Sequence, residues 1–301
     1  MDLDLTPDQA GLIDAVGKLI APFATQPAGA AQDFLVSAEL EDRLTDSGFR
    51  DVATVEGMGS LDAVLLTEAV AALAYVTEFA ASAIVAPKLG IPAGRPTVLM
   101  QSLDAPARFL TGGGIAMIAD GDDVRVMDLA DREIEILKAP FGYPLGRLRS
   151  PESGGERIVG AAPLLRHWWH VALAAEIGAV ARAAVDLAVQ YVKDRRQFGR
   201  AIGSYQAVQH RLSECAVAVE AIRQLTRRAA ATEDAQDALI AASYAKEACA
   251  RIIYDTQQFH GAIGVTYEYP LHLWTYRLRL LQGELGSFAE TASELADARW
   301  G

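Results

Sequence analysis

Cysteine is scarce: Cys215 and Cys249 are the only two in 301 residues. Neither has a CxxC spacing or a histidine nearby, which predicts buried, reduced thiols rather than a disulfide or a metal site. Runs of basic residues are absent too. The 27 basic residues stand against 39 acidic ones, a formal charge of −12. That balance repels a polyanion and argues against nucleic-acid binding, although a few local arginines suffice for a small anionic ligand. No long stretch is free of charge. The most apolar one, residues 64–86, carries Glu68 and Glu78 and reads as a buried helix rather than a membrane span. The opening MDLDLTPDQ is acidic and has no apolar core of a secretory signal, so the expected location is cytoplasmic. Apolar residues, by contrast, make up 51% of the chain, enough for a sizeable core.

The chain reads as three regions: 1–90 helical, 91–160 a reduced β-domain and 161–301 a helical bundle. The expected fold is therefore mainly α with a small β-unit (α+β). Thr6, Pro7 and Gln9 make a capping box ahead of an apolar face at Leu12, Ile13, Val16, Leu19, Ile20 and Phe23. A second helix is predicted over 36–47, ended by Gly48, and a third from Ser60 towards Pro87. The runs IAMIAD, DVRVMDL and REIEILKA then alternate as strands, and DGDD between the first two signals a hairpin, so a short antiparallel unit is predicted. TGGG at 111–114 lacks phosphate-loop spacing and reads as a turn.

From Leu164 onward four helices are predicted. Ser204 is the expected cap of the second, whose seam is Val208, Leu212, Cys215, Val219 and Ile222. Leu239, Ala242, Ala245, Cys249 and Ile252 face inward on the next.

Two segments of this region do more than satisfy helix periodicity. AAEIGAVARAAVDLAVQYVKDRRQFGRAIGSYQAVQHRLSE, with its R-x-Q-F-G, and QFHGAIGVTYEYPLHLWTYRLR resemble the C-terminal domain of the acyl-CoA dehydrogenases in content, order and separation. LTPDQAGLIDAV and GSLDAVLLTEAVAAL resemble that family's N-terminal helical domain, and the likeness is poor over 91–160. The resemblance implies an FAD enzyme that desaturates an acyl-CoA thioester and passes electrons to a flavoprotein. It also implies that Arg195, Gln197, Phe198 and Gln206, then Gln258, His260, Gly261 and Ala262, reach the FAD of a neighbouring subunit. Read as residues, Arg195 offers a planar fork for a pyrophosphate, Phe198 an aromatic wall and Gly261 a close backbone approach. Arg195 and Arg196 are equally what a helix C-terminus attracts as solvated charges.

The sequence also departs from the family. The catalytic glutamate that takes the α-proton has no counterpart at its two usual places, which fall on Leu285 and near Trp168. Glu284 is one residue away, a rotation of about 100° on a helix, and Glu176 is a weaker candidate. The flavin-holding β-domain segments are missing, and Ala262 stands where the family has a second glycine. Parts that serve a neighbour's cofactor are kept, and parts that hold the chain's own flavin are lost. The resemblance is thus closest to the shorter, degenerate subunit of the heteromeric (α2β2) bacterial dehydrogenases of steroid catabolism, with FAD shared with a partner dehydrogenase subunit. A self-sufficient enzyme using Glu284, or a non-catalytic scaffold, are the alternatives. Arg277 and Arg279 read as exposed helix charges.

Overall fold

The computed structural model describes residues 5–25, 32–92, 96–150 and 154–301; residues 1–4 of the acidic opening lie outside this set. Helix α1 (Pro7–Ile20) starts with the predicted capping box, Thr6 and Gln9 each accepting from the other's backbone N–H. Helix α2 (Ala38–Asp46) is capped by Ser37, and Gly48 follows it in the left-handed region at φ 72°.

The third helix is shorter than predicted. Helix α3 spans Ser60–Ala71, and the chain then turns before two short helical turns at Ala81–Val85 and Ala86–Leu89. Its end is set by helix α7 (His272–Leu281). Arg277 donates from Nη2 to the Ala71 carbonyl and from Nη1 to that of Leu73, each at 2.8 Å. Trp274 donates from Nε1 to Ala72 O at 3.0 Å. These carbonyls, orphaned at a helix end, are satisfied from a distant segment. Arg277 is therefore a buried cap, 2% exposed, and not the solvated charge its helical position implied.

Seven strands follow: β1 (Thr97–Met100), β2 (Ala107–Arg108), β3 (Ile115–Asp120), β4 (Asp123–Asp128), β5 (Ile134–Leu137), β6 (Leu145–Leu148) and β7 (Glu156–Ile158). They form two sheets, ordered β1-β3-β4-β7 and β2-β6-β5. The β3–β4 hairpin is the predicted one, turning at Gly121. The region is not wholly antiparallel, because β1 and β3 pair in parallel. Between them the chain leaves to place β2 in the other sheet, and such a crossover returns the strand in the same direction. Residues 111–114 form the predicted turn, with Gly112, Gly113 and Gly114 all at positive φ.

The bundle comprises α4 (Ala162–Asp194), α5 (Gln206–Thr232), α6 (Ala235–His260) and α7. The predicted seams hold except at one end: Val208 is only half-buried, while Leu212, Cys215, Val219, Ile222, Leu239, Ala242, Ala245, Cys249 and Ile252 are all buried, and both cysteines are free thiols. Two details differ. The N-cap of α5 is Tyr205, while Ser204 donates its hydroxyl to Ala201 O within a preceding turn. A further helix, α8 (Phe288–Trp300), packs on α6, opened by a Ser287–Glu290 capping box. Among the described residues no helix is long and apolar enough to cross a membrane.

Candidate cofactor-facing end and the Leu285 cavity

The bundle brings the two singled-out segments to one end. Arg195 leaves α4 in extended conformation, and the next residues form a two-stranded hairpin, β8 (Arg196–Gln197) with β9 (Arg200–Ala201). Its tip is Phe198 and Gly199 at φ 54° and 83°. Two successive left-handed residues make a tight primed turn, natural for Gly199 and strained for a phenylalanine. Phe198 is 92% exposed. The guanidiniums of Arg195 and Arg196 have no partner among the described residues. Gln197 binds only the neighbouring Arg196 carbonyl, at 2.7 Å. Gln206 is exposed at the first position of α5.

The second segment closes α6. Gln258 and Ala262 are exposed. His260 is buried and stacks on Tyr191, ring centroids 4.3 Å apart. Tyr191 lies one turn before Arg195, so this contact joins the two segments. His260 Nδ1 donates to Thr256 O at 2.6 Å, which leaves Nε2 an acceptor, buried and without a partner. Burial pushes this imidazole below its usual range, against the Thr256 bond that raises it. Gly261 sits at φ 65°, and no heavy atom lies within 4 Å of where a Cβ would stand.

A different geometry surrounds the carboxylates. Arg108, on β2, donates from Nη1 and Nη2 to both oxygens of Glu176 on α4, at 3.0 and 2.9 Å. Its Nε donates to Glu284 at 3.0 Å. Glu284 is 8% exposed. Burial pushes its carboxyl up, Arg108 pulls it down and Glu176 raises it again. The guanidinium also lies over the Tyr143 ring, 4.7 Å from its centroid. Residues beside the cluster are strained: Phe109 and Leu285 have φ 60° and 56°.

Leu285 lines a separate cavity of about 610 Å³ between the β3–β4 turn and helices α4 and α8. Gln101, Trp169, Arg166 and the acids Asp122, Glu290 and Glu294 line it too, but Glu284 and Glu176 do not. Arg166 is already drawn to Glu294, 3.7 Å away. The other place where a base was sought holds Trp168, buried under the Lys88 ammonium at 4.3 Å from its ring centroid.

Residues 167–288 match the acyl-CoA dehydrogenase C-terminal domain. Over these residues the chain is similar to the acyl-CoA dehydrogenases. It is 34% identical over 173 residues to acyl-CoA dehydrogenase IpdE2 of Mycolicibacterium smegmatis, covering 56% of this chain and 54% of that one. The chain thus spans about half the length of this curated relative. Two solved structures share the fold almost end to end. The Tcur3481-Tcur3483 steroid ACAD G363A variant superposes with TM-score 0.78 at 23% identity, covering 96% of this chain and 97% of that one. The ChsE4-ChsE5 complex from Mycobacterium tuberculosis gives 0.75 at 20% identity, covering all of both chains.

Acyl-CoA dehydrogenases are flavoprotein oxidoreductases, and the hairpin end suits such a cofactor. It offers unpaired guanidiniums, an exposed aromatic ring, two free side-chain amides and a glycine backbone open to close approach. The orphaned His260 Nε2 adds an acceptor beneath it. The cavity at Leu285 suits it less, since its acids oppose a pyrophosphate. Sequence reasoning missed Arg108. Its signal was slight: one arginine in the run ARFL, at a strand end facing the bundle.

Proposed function

We propose that this chain is the non-catalytic subunit of a heteromeric acyl-CoA dehydrogenase and completes the FAD site of a partner dehydrogenase chain. The observation that carries this reading is the contrast between the two sites. At the hairpin end the guanidiniums of Arg195 and Arg196 and the amides of Gln206 and Gln258 have no partner among the described residues. At the inner site the nearest carboxylates are already bound to Arg108. A general base must reach the α-carbon proton of a thioester, and Glu284, which lines a cleft of about 350 Å³ with Arg108, is held there in a salt bridge to that guanidinium.

In this reading Arg195 holds the partner's FAD pyrophosphate through a planar fork, Phe198 covers a ring face, and Gln206 and Gln258 donate amide hydrogen bonds. FAD held there would supply the acceptor for the β-hydride, and a base on the partner would take the α-proton. Electrons then pass to an accepting flavoprotein. Support for a partner comes from the two solved neighbours, both formed of paired chains. The steroid named for one of them favours a polycyclic acyl-CoA as the substrate class of the assembly.

The test is to purify the chain alone and with a candidate partner dehydrogenase, reading visible flavin absorbance beside mass in solution. The expected result is a colourless chain alone and a yellow heteromer, whose flavin is lost on Arg195→Ala. In that heteromer Glu284→Gln leaves kcat unchanged. A yellow homo-oligomer that bleaches with an acyl-CoA, and fails to do so after Glu284→Gln, would establish the self-sufficient enzyme instead. Its raised pKa is what favours Glu284 as a base in that second reading.

A further inference from the structure

Helices α3, α4 and α5, with one residue of α1, enclose a second cleft of about 480 Å³ that shares no lining residue with the Leu285 cavity or the Arg108 cluster. Its volume lies within the range of small-molecule sites, about 300–1,000 Å³. The cleft exists because the facing positions are small. Ala69 on α3 and Ala174, Ala175 and Gly178 on α4 leave a gap where larger side chains would interlock. Val219 on α5 adds an apolar wall.

Three guanidiniums line this apolar cleft, in a chain whose formal charge is −12. Arg182 is held through Nε by Asp186, and Arg223 through Nε and Nη2 by Glu220. Arg227 is held through Nε and Nη2 by Glu68. Each is anchored by one edge, and Nη1 of all three has no partner among the described residues. Asp186 and Glu220 lie behind their arginines and do not line the cleft, so the groups that face it are three charge-compensated guanidiniums with open Nη1 donors and one carboxylate, Glu68. The Arg227–Glu68 pair is mostly shielded, its side chains 14% and 16% exposed, which fixes the orientation of the guanidinium and its free Nη1.

We propose that this cleft binds an apolar monocarboxylate, its hydrocarbon body on the alanine and glycine floor and its carboxylate between Arg223 and Arg227. A neutral hydrocarbon would leave the guanidinium edges unused. A phosphate or other compact anion would leave the apolar floor uncovered. The combination fits a molecule with one charged end and one apolar body.

The experiment is calorimetric titration of decanoate, below its micelle concentration, into the full chain, with decan-1-ol as the uncharged control. Decanoate is expected to bind saturably at one site and the alcohol about tenfold more weakly, the difference being the charge-assisted contact. Arg223→Ala, on a half-exposed side chain, is expected to weaken decanoate about tenfold with an unchanged melting temperature. Ala69→Leu fills the cleft from its half-buried edge and is expected to abolish binding. Absence of saturable binding, equal affinity for acid and alcohol, or wild-type binding in both variants would overturn the proposal.

Discussion

Glu78 shows how a single buried carboxylate ties the N-terminal helices to the sheet. It accepts from the backbone N–H and the hydroxyl of Ser82 and from the Thr97 N–H, with Arg50 3.4 Å away. Burial pushes its carboxyl up to about 7, against the opposing pull of Arg50 and the hydrogen bonds of Ser82 and Thr97. The folded chain therefore holds a proton there that the unfolded chain, near 4.5, has released. The contribution of this group to stability is full below pH 4.5 and is lost as pH rises through 7. Denaturant titrations across that window should show stability falling with pH, by up to about 3 kcal/mol from this group. In Glu78→Gln that slope should flatten; an unchanged slope would place its origin elsewhere. Residue identity made the carboxylate visible in the sequence. Its partners were not visible, because the sequence predicts a continuous buried helix there and Glu78 in fact stands in the break after α3.

At the scale of elements, local chemistry wrote most starts and long-range contacts wrote several ends. The Thr6 cap, the Gly48 terminator and the β3–β4 turn are short-range devices legible in the sequence, and so is the Ser37 cap, which the predicted range 36–47 places inside its helix. So was the capping box of α8, a plain S-x-x-E at 287–290 that the sequence reading passed over. The end of α3 was not readable, since Arg277 and Trp274 lie some 200 residues away in sequence. The 196–201 hairpin was hidden for another reason. Its turn calls for left-handed residues, and Phe198 is an unusual choice for the first of them. Phe198→Gly should relieve that strain and stabilise the isolated chain by about 1 kcal/mol in chemical denaturation. Under the proposed function the same change should also lower flavin retention by the chain with its partner, because the exposed ring is removed. Loss of stability in the isolated chain would mean that Phe198 packs within its own subunit.

For the whole molecule, the Arg108 cluster is a buried ionic tie between sheet and bundle, joining β2 to α4 and to the turn before α8. Removing the cation alone strands two buried carboxylates. Arg108→Ala should therefore destabilise by about 3–5 kcal/mol, and adding Glu176→Gln and Glu284→Gln should recover a substantial part. Equilibrium unfolding of the three-residue variant against the single one measures this directly. If the single variant is as stable as wild type, the cluster is not what docks the sheet.

The sequence by itself determined the helix–sheet–helix order, the buried seams of α5 and α6, and the pair of segments that mark the family. Each of these is carried by periodicity or by contiguous residues, and so survives without knowledge of distant contacts. Tertiary structure alone decided where α3 stops, that β1 and β3 run parallel, that Arg277 is a buried cap, and that Glu284 and Glu176 share one guanidinium. Those outcomes depend on which groups meet across the fold. Desolvation and pairing then set the role of each charge, and no local pattern records either.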